Sequence, residues 1–307
     1  MYLAPTYDFG QLRIVKDASG QLCNRLWGYA PLIARALSEN SRLYILSFGA
    51  YAKLFEDLRR FPNVRFLPLW NPVARRSIHA LLKVLQWLPY PARQRLPVAV
   101  LDSKWNQADR RKNRIYFVDA WPPPTVPDFL SHADAVRELF QPKEAISREV
   151  DAFVAGLRER YDVIVGVHIR RGDFARYKGG RYYYGDAVYL RAMQSLREQI
   201  QQARTAFILC SNEGVNPAIF SGLDCFRPPS PTIMHDLYCL SKCDYLFGPP
   251  STYSMWASFT GLVPYAVLDH PEQKLLLTDF LPVQEKNTYV GGATVPPFDR
   301  KDEWPED

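Results

Sequence analysis

Val163-Ile164-Val165-Gly166-Val167-His168-Ile169-Arg170-Arg171-Gly172-Asp173 is the stretch on which the fold turns. A β-branched apolar run, Val163 to Val167, gives way to His, two Arg, Gly and Asp. The pattern predicts a buried strand that delivers a cluster of charge to the rim of a sheet. Ligands of open α/β sheets bind outside the carboxyl ends of the strands. A guanidinium there offers phosphate oxygens a planar fork that never loses its charge. Side chains alternate along a strand, so one of Arg170 and Arg171 can reach a ligand while the other packs or pairs locally, for instance with Asp173. A plain rim salt bridge is the alternative.

The neighbouring sequence extends this reading. Helices are expected over Ala133 to Phe140 and Lys143 to Tyr161. After the charged loop comes a helix over Asp186 to Arg204, with Tyr189, Met193 and Leu196 on one face. Strand Ala206 to Cys210 ends in Ser211-Asn212-Glu213. A helix over Met234 to Lys242, strand Tyr245 to Phe247, a helix opening at Ser254 and strand Val263 to Leu268 follow. The first third alternates in the same way: strand Leu12 to Val15, a loop with Gly20, helix Arg25 to Glu39, strand Leu43 to Leu46, helix Tyr51 to Arg60. Such alternation predicts parallel sheets with crossover helices. Phe66 to Pro127 is rich in Pro, Trp and Arg; a helix over Ile78 to Leu88, a strand over Ile115 to Asp119 and a surface loop at Pro122-Pro123-Pro124 are expected there. The expected organisation is an N-terminal α/β domain over 1–150, a C-terminal α/β domain over 151–285 with ligand groups at its strand ends, and an irregular tail over 286–307.

Composition narrows the classes. The chain has 307 residues, 23% charged and 47% hydrophobic, which is ordinary for globular domains. A formal charge of +6 suits nucleic acid, an anionic membrane or a phosphorylated substrate. The basic residues form no long run, which argues against nucleic acid. Five irregularly spaced cysteines favour reduced thiols in the cytoplasm over a disulfide framework. His235, Cys239 and Cys243 recur every four residues; a buried stripe explains that spacing better than a metal site. No stretch is apolar enough to span a membrane, and the N-terminus lacks a signal pattern, so the expected location is cytoplasmic, with peripheral contact at the inner membrane face as an option. The tripeptide Arg171-Gly172-Asp173 follows a buried strand, which argues against a cell-adhesion role.

Three further features could carry chemistry. Ser251, Thr252 and Ser254 stand between a strand and a helix, where they can cap the helix or help its free N–H groups bind an anion. Asp236, near a helix start, can complement the helix dipole or accept two N–H bonds from a guanine edge. Gly20-Gln21-Leu22-Cys23-Asn24-Arg25 opens a helix without the Gly-Lys-Ser/Thr ending of a P-loop.

Taken in order, these motifs resemble the fucosyltransferase superfamily of α-1,2-, α-1,6- and protein O-fucosyltransferases, the α-1,2 branch above all. His168-Ile169-Arg170-Arg171-Gly172-Asp173 is similar to that family's His-Val-Arg-Arg-Gly-Asp motif. Asp236 through Asp244, with Ser251-Thr252-Tyr253-Ser254-Met255-Trp256, is similar to its Asp-x-x-x-Leu-Ser-x-Cys-Asp…Ser-Thr-Phe-Ser-Trp-Trp block. Looser likenesses link the Gly20 loop to Gly-Gly-Leu-Gly-Asn-Gln/Arg and Ser211-Asn212-Glu213 to Ser-Asp-Asp.

The resemblance implies a GT-B-like fold of two Rossmann-type domains facing a cleft, a GDP-fucose donor, no further cofactor, a glycan acceptor and inversion at the sugar without a metal. By that resemblance Arg170 holds the β-phosphate, with Arg171 beside it. His168 and Asp236 meet the guanine end, and Ser251, Thr252 and Ser254 bind phosphate. Tyr189 lies near the donor, and Asn24 and Arg25 face the cleft from the N-terminal domain. Asp17, Asp119 and Asp173 are candidates for a general base, of which Asp173 adjoins the arginines. Two departures from the pattern, Cys23 for a glycine and Asn212-Glu213 for an acidic pair, fall on the sugar and acceptor side. A GT-B transferase using another nucleotide sugar and a non-catalytic nucleotide-sugar binding protein are the alternative readings.

Overall fold

The computed structural model describes residues 11–15, 20–46, 48–67, scattered positions between 77 and 101, 114–118, 120, 129–285 and 288–289. The chain divides into two compact units, Met1–Gln141 and Pro142–Asp307. The boundary expected at 150 falls inside a helix, Glu144–Arg158, that belongs wholly to the second unit. Its buried stripe of Val150, Val154 and Leu157 explains this, because that stripe packs on the second sheet's side.

The first unit is built on a five-stranded parallel sheet. Its strands are β1 (Gln11–Val15), β2 (Arg42–Ile45), β3 (Val64–Phe66), β4 (Val98–Leu101) and β5 (Arg114–Val118), in the order β3-β2-β1-β5-β4. Strands β3 and β4 lie outside the segments the sequence marked as strands, since each is only three or four residues long. The helix after β1, Leu22–Ser38, begins three residues earlier than expected and is buried along most of its length. The helix expected over Tyr51 to Arg60 is a short 3-10 turn, Gly49–Leu54. Beyond it, the Asp57 carboxylate accepts the Arg59 N–H at 2.9 Å, a local turn that competes with helix. Buried Arg13 in β1 donates to Ser41 Oγ at 2.5 Å and pairs with Glu39, tying the end of that helix back to the sheet.

The second unit is built on a seven-stranded sheet: β6 (Val163–Ile169), β7 (Thr205–Ser211), β8 (Asp224–Phe226), β9 (Tyr245–Gly248), β10 (Pro264–Val267), β11 (Leu281–Glu285) and β12 (Thr288–Tyr289). The order is β12-β11-β10-β9-β6-β7-β8, with β6 to β10 all parallel and the last two strands antiparallel. Strand β12 lies in the region expected to be an irregular tail; its pairing with β11, a contact between two short segments, supplies order that composition does not encode. From Gly291 onward the tail lies outside the described residues.

Read from its edge, the parallel part runs β8-β7-β6-β9-β10, the doubly wound order in which the chain reverses direction across the sheet between β6 and β9. Strand β6 is buried on both faces, which is why its sequence reads as a continuous apolar run. Val165, Val167 and Ile169 face a core completed by Tyr189, Met193 and Leu196 of the helix Asp186–Gln199. The opposite face lies under the helices Ile233–Leu240 and Thr252–Gly261. All five cysteines are free thiols, four of them buried, and burial pushes the Cys210 and Cys243 thiols well up.

Candidate functional site

The carboxyl ends of β6 and β9 form the switch point of the second sheet, and His168, Arg170 and Ser251 to Ser254 stand at or just beyond those strand ends. Strand β6 runs two residues further than the sequence suggested, so His168 is a strand residue and not part of the charged loop. The imidazole is 3% exposed and shares a hydrogen bond of 2.6 Å between Nδ1 and Ser254 Oγ, which is itself fully buried. Tyr253 packs against the imidazole with ring centroids 5.0 Å apart. Burial, with Arg170 nearby, pushes the His168 pKa down to about 3, so the ring is neutral. Gly248 makes this approach possible. A Cβ at that position would meet the His168 carbonyl oxygen at 2.6 Å and its Cβ at 2.9 Å.

The helix beginning at Thr252 is capped by Ser251, whose Oγ accepts the Tyr253 N–H at 3.2 Å. Tyr253 donates its hydroxyl to the Ile233 carbonyl at 2.6 Å, which joins this helix start to the start of the helix Ile233–Leu240. On that second helix Asp236 is 7% exposed, and its Oδ1 is buried with no hydrogen-bond partner. Burial raises the Asp236 pKa to about 7, against the opposing pull of the Arg227 guanidinium and a backbone bond from Ser211. A buried acceptor oxygen with nothing to accept is costly by about 1–3 kcal/mol. It is also what a donor-bearing ligand edge would satisfy.

The two arginines take different partners, as alternation along a strand requires. Arg171 continues the parity of Ile169, and its guanidinium pairs with Asp186 at the start of the helix Asp186–Gln199. That pairing anchors the loop to the helix. Arg170 continues the parity of His168. It donates to Asp173 Oδ2 at 2.7 Å and lies over the Phe174 ring at 5.3 Å. Asp173 is therefore the partner of Arg170 itself, and its carboxylate is half-exposed. Tyr189, expected near the donor, is fully buried under this loop. Its burial pushes the phenol's pKa well up.

Several residues here were not legible from the sequence. Asn212 grips the backbone of Arg171 on both sides: Oδ1 accepts its N–H at 2.8 Å, and Nδ2 donates to its carbonyl at 2.9 Å. An aspartate could accept but not donate, so the amide at a position where the resembled family has an acid has a structural reason. Arg227, just past β8, faces Asp236 electrostatically, and only its place at a strand end could have flagged it. Asp244, inside a matched motif, sits at the far end of β6. It accepts the Ile164 N–H at 2.8 Å and both Arg158 Nη atoms at 2.9 and 3.0 Å, a structural role.

His235 turns both ring nitrogens to protein partners rather than to Cys239 and Cys243. Its Nδ1 meets Thr232 Oγ1 at 2.7 Å and its Nε2 meets Glu149 at 3.0 Å, while the two thiols stay in the core. In the first unit, Asn24 and Arg25 occupy the first turn of the helix Leu22–Ser38. Arg25 donates to the Gly20 carbonyl at 3.1 Å and lies over the Tyr51 ring. Gly20 has φ +67°, and a Cβ there would strike Asn24 Nδ2. Asp17 and Asp119 lie outside the described residues.

A switch point carrying a capped helix start and an arginine offers free N–H groups and positive charge to an anionic ligand. Residues 115–263 match the family model for glycosyl transferase family 11. The match ends in the second unit; of the candidate site residues, Asp17, Asn24 and Arg25 lie outside it. No curated protein matches the chain.

Solved structures share the fold. A point mutant of Arabidopsis thaliana FUT1 in complex with GDP aligns with a TM-score of 0.58 at 13% identity, covering 92% of this chain and 76% of that one. The NodZ α-1,6-fucosyltransferase soaked with GDP-fucose aligns at 0.51 and 17% identity, covering 86% and 97%. POFUT1 in complex with GDP aligns at 0.51 and 11%, covering 88% and 97%. At such identities the likeness establishes the fold, a GT-B-like α/β architecture with parallel sheets.

Proposed function

We propose that this chain is an inverting, metal-independent glycosyltransferase that moves L-fucose from GDP-β-L-fucose to a glycan hydroxyl, in the manner of the α-1,2 enzymes. The observation that carries the reading is the switch point itself. Arg170, the helix start at Ser251 to Ser254 and the unpartnered Asp236 oxygen stand on one edge of one sheet, as a nucleoside diphosphate requires. The matched family and the GDP-bound neighbours of the same fold support it.

Each residue then has a task. Asp236 as a carboxylate accepts the N1–H and 2-amino donors of guanine. Neutral His168 adds no charge; it holds Ser254, and with Tyr253 it fixes the helix start whose N–H groups face the diphosphate. Arg170 neutralises the β-phosphate. During transfer the anomeric C–O bond to phosphate breaks, its electron pair leaves with GDP, and a bond forms from the acceptor oxygen to the anomeric carbon. The acceptor proton passes to a base or to water. The sugar becomes oxocarbenium-like while negative charge grows on the diphosphate. Donors fixed in advance at that charge lower the barrier most. Asp173 orients Arg170 through the bond at 2.7 Å.

The test is donor turnover by Arg170→Ala in a protein whose thermal unfolding is unchanged. Removing such a fixed donor lowers kcat about a hundred- to a thousandfold. Near-normal turnover would end the assignment. Thermal shift with GDP-, UDP- and ADP-sugars separates this donor from another nucleotide sugar. Release of free fucose from GDP-fucose separates an enzyme from a non-catalytic binder.

A further inference from the structure

The helical positions described between 77 and 87 are Ser77, Ala80, Leu81, Val84 and Trp87, and all five are exposed. At 3.6 residues per turn they fall within an arc of about 120° on one side of a helix. Leu81 is 57% exposed, Val84 61% and Trp87 88%. Tryptophan is normally among the most buried residues, and a contiguous apolar stripe of this kind marks a binding surface.

The charge around the stripe is one-sided. From 58 to 101 the sequence contains no Asp or Glu. In the sequence Arg75 and Arg76 precede Ser77, Lys83 stands between Leu81 and Val84, and Arg93 and Arg95 follow Trp87. An apolar face with tryptophan in an acid-free basic segment is the pattern of a helix that lies in the plane of a lipid interface. Its cations are complementary to anionic headgroups. A nucleic acid would use the cations but leave Leu81 and Val84 without partners. A second copy would set one basic segment against another.

We propose that the face carrying Leu81, Val84 and Trp87 docks the N-terminal unit on an anionic lipid surface. The contact proposed is peripheral; among the described residues no helix is long and apolar enough to cross a membrane. It is independent of the fucosyl-transfer reading, because it concerns the first unit's surface and is read by partition alone.

The experiment is co-sedimentation of the full chain with vesicles of phosphatidylcholine, with and without about one-third phosphatidylglycerol. The anionic vesicles should bind it at least about tenfold more strongly, and added salt should weaken that binding. Tryptophan emission should shift to the blue on anionic vesicles, and the shift should shrink in Trp87→Phe. The triple variant Leu81→Ser, Val84→Ser, Trp87→Ser changes only exposed side chains, so its unfolding temperature should hold while its binding falls to the level seen on neutral vesicles. Equal binding to both vesicles, no binding to either, or full binding by the folded triple variant would overturn the proposal. So would a lipid-free dimer that the triple variant converts to monomer, since the face would then belong to a second copy.

Discussion

The side-chain amide of Asn212 closes on the backbone of Arg171 from both sides, accepting its N–H at 2.8 Å and donating to its carbonyl at 2.9 Å. The pair extends the ladder between β6 and β7 by one rung made partly of side chain. It fixes the peptide immediately after Arg170, and so the direction in which that guanidinium leaves the sheet. Asn212→Asp keeps the acceptor but leaves the Arg171 carbonyl without its donor. We expect about 1–3 kcal/mol of destabilisation by thermal unfolding and a lower kcat with little change in the affinity for GDP. Restoration of the acidic residue typical of the resembled family would raise activity only if this geometry were unimportant.

Asp173 is held by Arg170, so its first effect is on position. Asp173→Asn retains a side chain that can accept from the guanidinium and should lower kcat by about tenfold or less, leaving the shape of the pH–rate profile intact. Loss of the basic limb of that profile, together with a drop of about a thousandfold, would make Asp173 the general base instead.

Asp236 must be ionised to accept two guanine N–H groups. Its pKa, raised by burial to about 7, places that ionisation near neutrality. Affinity for GDP should therefore rise as pH increases through about 7, measured by calorimetry from pH 6 to 8. Asp236→Asn should flatten this dependence and reduce the preference for GDP over IDP, which lacks the 2-amino group.

His168 and Asp236 also set opposite pH dependences of stability. The His168 pKa falls from 6.5 to about 3 on folding, so the unfolded chain binds more protons between those values and stability is lost as pH falls. The Asp236 pKa rises from 3.8 to about 7, so the folded chain binds more protons and stability is lost as pH rises through that range. In the ligand-free protein the two should largely offset between about pH 4 and 6.5. His168→Gln should then grow less stable as pH rises, and Asp236→Asn more stable, in urea titrations across that window. Parallel slopes in the two variants would contradict the burial of either group.

Gly248 has no room for a side chain beside His168. Gly248→Ala should destabilise the second unit by about 1–3 kcal/mol and weaken GDP binding, because the strand end must shift away from the helix start it supports. A wild-type unfolding temperature in this variant would show that the approach is looser than 2.6 Å implies.

The sequence by itself determined the alternation of strand and helix in the second unit, the burial of β6 and the position of the charged loop at its end. Period, β-branching and helix-start residues are local signals, and here they agree. It also set Ser251 as a cap, since capping needs only two neighbouring residues. What the tertiary structure decided is which partner each charged group takes. Arg170 and Arg171 are adjacent and chemically identical, yet one meets Asp173 and the other Asp186, fifteen residues away, because the pleat sends them to opposite faces. Asn212 reads as a substitution for an acid until Arg171 is placed beside it. Asp236 reads as a helix-start carboxylate until burial leaves one of its oxygens with nothing to accept. Strands β3, β4, β8, β11 and β12 were missed: each is only two to five residues long, and its order comes from the hydrogen bonds of the strand it pairs with.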